Sequence, residues 1–165
     1  MIAGLYVGSF DPITNGHLDM IRRSMAFCQK LYVVVGVNPK KQTMFTSPER
    51  VSLIEKVIAA ELPGTNIKIL SHKGLIATLA QGLKVNVFIR GVRSVADFEY
   101  ELNWTLINKE IVSTIETVFI PANPMLSTVS SSAVKELASF NVPMGKFVHP
   151  IVASALAEKL KNQSL

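Results

Sequence analysis

Gly8-Ser9-Phe10-Asp11-Pro12-Ile13-Thr14-Asn15-Gly16-His17 lies between a short apolar run, Ala3 to Val7, and a segment in which Leu18, Ile21, Met25 and Cys28 recur at steps of three and four. The apolar run reads as a buried strand and the spaced residues as one face of a helix, so the ten residues form a strand-to-helix loop. Glycines at 8 and 16 leave space for a ligand at the backbone. Pro12 stiffens the bend, while Ser9, Thr14 and Asn15 supply donors and helix caps. The first N–H groups of a helix have no partner within it and carry partial positive charge, which favours phosphate. His17 falls in the first turn, where an imidazole can donate to a phosphate oxygen. Taken alone, Gly-x-His also suits a plain turn with a surface histidine.

The rest of the chain repeats the strand–helix alternation. Leu31 to Val37 is continuously apolar, as expected of a strand covered on both faces. With the first strand it makes a βαβ unit, whose crossover should be right-handed. The polar loop Asn38 to Thr46, carrying Lys40 and Lys41, follows at the carboxyl end of that strand, the edge where open parallel sheets bind ligands. Two lysines in a loop are by themselves an ordinary solvated pair. Ser47-Pro48-Glu49 starts a helix with Ser47 as its cap. Val51, Ile54, Val57, Ile58 and Leu62 form its buried face, and Pro63-Gly64 ends it. Ile67 to Leu70 is a third strand and Leu75 to Leu83 a helix.

Val85 to Ile89 is a fourth strand that runs into Arg90-Gly91-Val92-Arg93-Ser94. Two arginines flanking a glycine can grip phosphates through paired N–H groups, or can be two surface charges in a turn. The next helix places Leu102, Leu106, Ile107 and Ile111 on its buried side, with Trp104 as packing. Thr117 to Ile120 is the fifth strand. After a loop from Pro121 to Ser127, Thr128-Val129-Ser130-Ser131-Ser132 leads into a helix from Ala133, either as a second phosphate cradle or as simple caps. Pro150 opens a last helix to about Leu160, with a frayed tail beyond.

A chain of 165 residues, 48% apolar and 18% charged, fits one domain, residues 1–165, with a sizeable core. The expected fold is α/β: a single-domain, Rossmann-like, five-stranded parallel sheet with helices on both faces. Seventeen basic against twelve acidic residues give +5, which suits a small polyanion as well as nucleic acid. No basic run exceeds two residues, so the expectation is no nucleic acid. A single cysteine, Cys28, excludes an internal disulfide and reads as packing. No signal-like start or membrane-length apolar run is present, and the expectation is a cytoplasmic protein that binds no membrane. Gly4 and Gly8 do not make GxGxxG, which argues against a nicotinamide dehydrogenase.

Thr14-Asn15-Gly16-His17, preceded by Gly8 to Pro12, resembles the T/HxGH motif of the nucleotidyltransferases, and in particular of the phosphopantetheine adenylyltransferases. The run Ile89 to Glu101 and the serines at 130–132 are similar to that family's further motifs, in the same order. Thr14 replaces the histidine common in the wider superfamily, and Val7 stands where many relatives have proline. The resemblance implies transfer of AMP from ATP to 4′-phosphopantetheine, with His17 stabilising the transition state. It places ATP on Ser9, Phe10, His17, Gly91, Val92, Arg93, Glu101, Leu126, Ser127, Thr128, Val129, Ser130, Ser131 and Ser132. It places the acceptor on Ser9, Lys41, Ile76 and Arg90. Mg²⁺ accompanying ATP and a homohexamer are further implications; no cluster of acids or histidines in the sequence suggests a protein metal site, so the ion's expected ligands are mostly phosphate oxygens and water. A sister nucleotidyltransferase acting on a pyridine mononucleotide or a phosphoalcohol would share the fold and the first motif.

Overall fold

Strands β1 (Ala3–Gly8), β2 (Lys30–Gly36), β3 (Ile67–His72), β4 (Val87–Val92) and β5 (Glu116–Pro121) pair in parallel in the order β3-β2-β1-β4-β5. The structure is a computed structural model that describes residues 1–163. The helices are α1 (Asn15–Ser24), α2 (Ser47–Glu61), α3 (Ile76–Gly82), α4 (Val95–Ile111), α5 (Ser131–Ser139) and α6 (Pro150–Gln163), with a 3-10 turn at Pro124–Leu126.

Alternation along the strands divides the interior into two layers. Leu31, Val33 and Val35 of β2 meet Ile21, Ile54, Val134 and Leu156 from α1, α2, α5 and α6. Tyr32 and Val34 turn the other way, with Leu5 and Phe88, onto Ala77 and Ala80 of α3 and Trp104 of α4. Helices therefore cover both faces, as the continuous apolar strands imply. Cys28 is buried, and its Sγ lies where a Cβ on Gly4 would come within 2.7 Å. It is a packing residue. No helix among the described residues is long and apolar enough to cross a membrane.

Several boundaries differ from the sequence reading. The fourth strand begins at Val87 and runs through Arg90, Gly91 and Val92, so Arg90 is held by the sheet ladder rather than lying past it. The cap of α2 is Thr46, not Ser47: its side chain accepts from Glu49 N–H and Glu49 reciprocates, a complete capping box. Helix α5 starts at Ser131, with Ser130 as its cap. Helix α6 continues through Gln163. Of the tail expected to fray, Ser164 and Leu165 lie outside the described residues. The largest difference concerns α4, where Leu102, Leu106, Ile107 and Ile111 are exposed instead of buried. The face of α4 toward the sheet is filled by Trp104 and Asn108.

Candidate active site

The strand order reverses between β1 and β4, and a cleft opens beyond their carboxyl ends, the usual ligand position in such sheets. Its walls come from the end of β1, the start of α1, the end of β4 and the start of α5. At the end of β1 the chain bends sharply. Phe10 adopts φ +46°, in the left-handed region that a bulky residue seldom occupies, and the Asp11–Pro12 peptide is cis. The strained φ of Phe10 is offset because its ring is fully buried, edge-on to Tyr6 at 5.5 Å and to His17 at 4.9 Å. Gly8 must be small for this reason: a Cβ there would stand 3.1 Å from the Phe10 ring.

Helix α1 begins with a capping box built from a histidine. Thr14 Oγ1 accepts from His17 N–H, and the N–H of Thr14 donates to His17 Nδ1 at 3.0 Å. Because that N–H can only donate, Nδ1 is the acceptor and the ring proton resides on Nε2. Burial, with the charge of Arg93 nearby, lowers the His17 pKa from 6.5 to about 4. The imidazole is thus a neutral donor at physiological pH, fixed in one tautomer and lining the cleft.

Four cations and four carboxylates line the same cleft: Lys41, Arg90, Arg93 and Lys135, with Asp11, Asp19, Asp97 and Glu101. Most are paired. Arg90 Nε bonds to Glu101, its Nη1 donates to the Val7 carbonyl at 3.1 Å, and its guanidinium stacks 4.5 Å from the Trp104 ring centre. Arg93 grips Asp97 at 2.8 Å, one helical turn away, and that bond holds the Asp97 carboxyl below its usual range. Lys135 pairs with buried Asp11 at 2.8 Å. Burial alone would raise the Asp11 pKa, but Lys135 and the N–H groups of Phe45 and Met44 lower it overall. Lys41 has no carboxylate partner among the described residues and is exposed. Beneath the loop, buried Arg50 donates to the Ser9 carbonyl at 2.7 Å.

Of the residues singled out from sequence, Ser9, His17, Lys41, Arg90, Gly91, Arg93, Glu101, Leu126, Val129, Ser130, Ser131 and Ser132 line the cleft together. Phe10, Ile76, Val92, Ser127 and Thr128 do not. Phe10 packs inward, and Ile76 lies against the α3–α4 layer. Ser131 commits its hydroxyl to the Pro12 carbonyl at 2.8 Å. Sequence reasoning missed Lys135 and the bracing role of Asp11. The Asp11 carboxylate accepts from Met44 and Phe45 N–H at 3.0 and 2.9 Å and so ties the Lys41 loop to the floor of the cleft. The separation of 124 positions between Asp11 and Lys135 hides that pair from any local motif.

A neutral histidine donor, a serine-capped helix start and four cations around one cleft form a site whose chemistry suits phosphate groups. Residues 5–137 match the cytidylyltransferase-like family. The fold is shared with the Plasmodium falciparum nicotinic acid mononucleotide adenylyltransferase (TM-score 0.66, 15% identity, 94% of each chain). It is shared also with the Francisella tularensis bifunctional NMN adenylyltransferase/ADP ribose pyrophosphatase (TM-score 0.71, 11% identity, 97% of this chain and 49% of that one). In sequence the chain is 43% identical to the phosphopantetheine adenylyltransferase of Clostridium perfringens strain ATCC 13124, over 98% of this chain and 97% of that one. It is 44% identical to the Alkaliphilus metalliredigens enzyme of the same name, over 96% and 99%. The chain belongs to the phosphopantetheine adenylyltransferase family.

Proposed function

We propose that this chain transfers the adenylyl group of ATP to 4′-phosphopantetheine, giving dephospho-coenzyme A and pyrophosphate. The observation that carries the chemistry is the neutral, tautomer-fixed His17 facing a cleft of paired cations; the acceptor follows from the relatives at 43–44% identity. No protein nucleophile is needed, since the acceptor phosphate is itself an anion. One of its oxygens forms a bond to the α-phosphorus while the bond from that phosphorus to the β-phosphate bridge breaks, and pyrophosphate departs. The protein overcomes repulsion between anions, aligns them and stabilises the transferring group. His17 Nε2–H, with Ser9, serves the α-phosphoryl group. Lys41 and Arg90 serve the acceptor phosphate. Arg93 and the Ser130–Ser132 turn serve the departing pyrophosphate, and Glu101 both aims Arg90 and borders the nucleoside.

Mg²⁺ enters with ATP in this reading and neutralises triphosphate charge. Among the described residues no three His, Cys, Asp or Glu side chains stand together to hold an ion, so its ligands are taken as phosphate oxygens and water. The whole chain, residues 1–165, serves as one nucleotidyltransferase domain in the cytoplasm. A homohexamer is the proposed assembly, and the exposed Leu106 and Ile107 of α4 favour burial against another copy. The test of substrate class is ATP consumption with 4′-phosphopantetheine, a pyridine mononucleotide and a phosphoalcohol in parallel. Turnover with the first alone supports the proposal, and preference for either of the others overturns it.

A further inference from the structure

Tyr6 occupies the floor of the cleft and has no part in the roles assigned above. It is 7% exposed, and its ring lies 5.5 Å from Phe10 and 6.4 Å from His17. Its hydroxyl has no hydrogen-bond partner among the described residues. Among the described residues, the sealed polar side-chain atoms without a partner are Ser47 Oγ, Arg50 Nε and Thr105 Oγ1, and Tyr6 Oη is not one of them. The hydroxyl therefore keeps contact with solvent, and the solvent beside it is that of the cleft, which Tyr6 lines. In the free protein only water meets this O–H, so it is available to donate to a ligand that enters the cleft.

The sheet explains how the hydroxyl stays uncovered. Tyr6 is paired with Ile89 on β4, and two residues further along the same face is Gly91, which adds no side chain of its own and has Met20 packed against it. Tyr6 shares its face of the sheet with Phe10 and Met20, on the α1 side. Arg90 projects to the opposite face, onto Trp104, and Lys41 arrives from the loop after β2. Tyr6 thus stands on the His17 side of the sheet, with the Arg90 guanidinium still within electrostatic reach of its hydroxyl. Burial raises its pKa, and Arg90, Glu101 and Arg93 modulate it; the phenol stays a protonated donor.

We propose that the Tyr6 hydroxyl donates a hydrogen bond to the phosphoryl group in transfer, beside His17 Nε2–H, and so is a further catalytic residue. The inference rests on the adenylyl-transfer reading above. Tyr6→Phe removes the donor and keeps the ring. Expected is a fall in kcat of about 10- to 100-fold, with KM for ATP and for 4′-phosphopantetheine within about twofold. The thermal midpoint and near-ultraviolet dichroism should match the wild type. Combined with His17→Ala, the double variant should lose less than the product of the single losses, because both donors act on one group. Unchanged kcat, a loss confined to KM, or a loss accompanied by a loosened fold overturns the inference. A wild type that does not adenylylate 4′-phosphopantetheine overturns the proposed function instead, so the two failures are distinct.

Discussion

Replacing His17 by glutamine separates its titration from its structural role. Glutamine Oε1 can accept the Thr14 N–H as the third residue of a capping box, so the helix start survives, but the amide cannot take up a proton. The histidine has a pKa of about 4 in the folded chain against 6.5 unfolded. Between those values the unfolded state binds a proton that the folded state refuses. The neutral ring's contribution is therefore complete above pH 6.5 and is lost as pH falls toward 4. Linkage over that shift gives about 2.5 kcal/mol lost between pH 7.5 and pH 4.5. Urea unfolding of both proteins at the two pH values measures it, since every other titrating group is common and cancels in the difference. The wild type should lose about 2.5 kcal/mol more than His17→Gln. Equal losses would refute the claim that burial keeps His17 neutral, and with it the fixed Nε2–H donor.

Lys41→Ala and Arg90→Ala should each weaken binding of 4′-phosphopantetheine far more than binding of ATP; calorimetry showing the reverse would mean the two subsites are exchanged. Arg93→Lys keeps the charge but loses the guanidinium fork, so KM for ATP should rise while that for 4′-phosphopantetheine stays nearly constant. Full tolerance of lysine there would reduce Arg93 to a solvated charge. Gly4→Ala puts a methyl 2.7 Å from Cys28 Sγ and 2.9 Å from Ile89 Cδ1, so urea unfolding should show a loss of about 1–3 kcal/mol; an unchanged midpoint would mean that the sheet and α1 part easily.

The strand–helix alternation was legible because the central strands β1 and β2 are buried and read as apolar runs, and the shorter apolar runs of β3, β4 and β5 recur between helical patterns. The cleft was legible where glycines and hydroxyls crowd a helix start, as at residues 8–17 and 130–132. Helix α4 was misread for a physical reason: periodicity reports that Leu102, Leu106 and Ile107 are apolar, not whether the chain's own core covers them. Ile76 was placed on the acceptor by resemblance alone, yet it packs against the layer under α3 and α4. The Asp11 contacts with Met44, Phe45 and Lys135 join segments distant in sequence, so no local pattern announces them. The histidine cap of α1 lay within the quoted motif, but the bond from Thr14 N–H that sets the tautomer is visible only in three dimensions.

The central claim is adenylyl transfer to a phosphorylated pantetheine by direct attack. Its most direct test is pyrophosphate release from ATP with and without 4′-phosphopantetheine, with dephospho-coenzyme A measured by mass in the same tube. Release is expected only when the acceptor is present, in one-to-one ratio with dephospho-coenzyme A. Release without acceptor, or consumption of acceptor without that product, would contradict it.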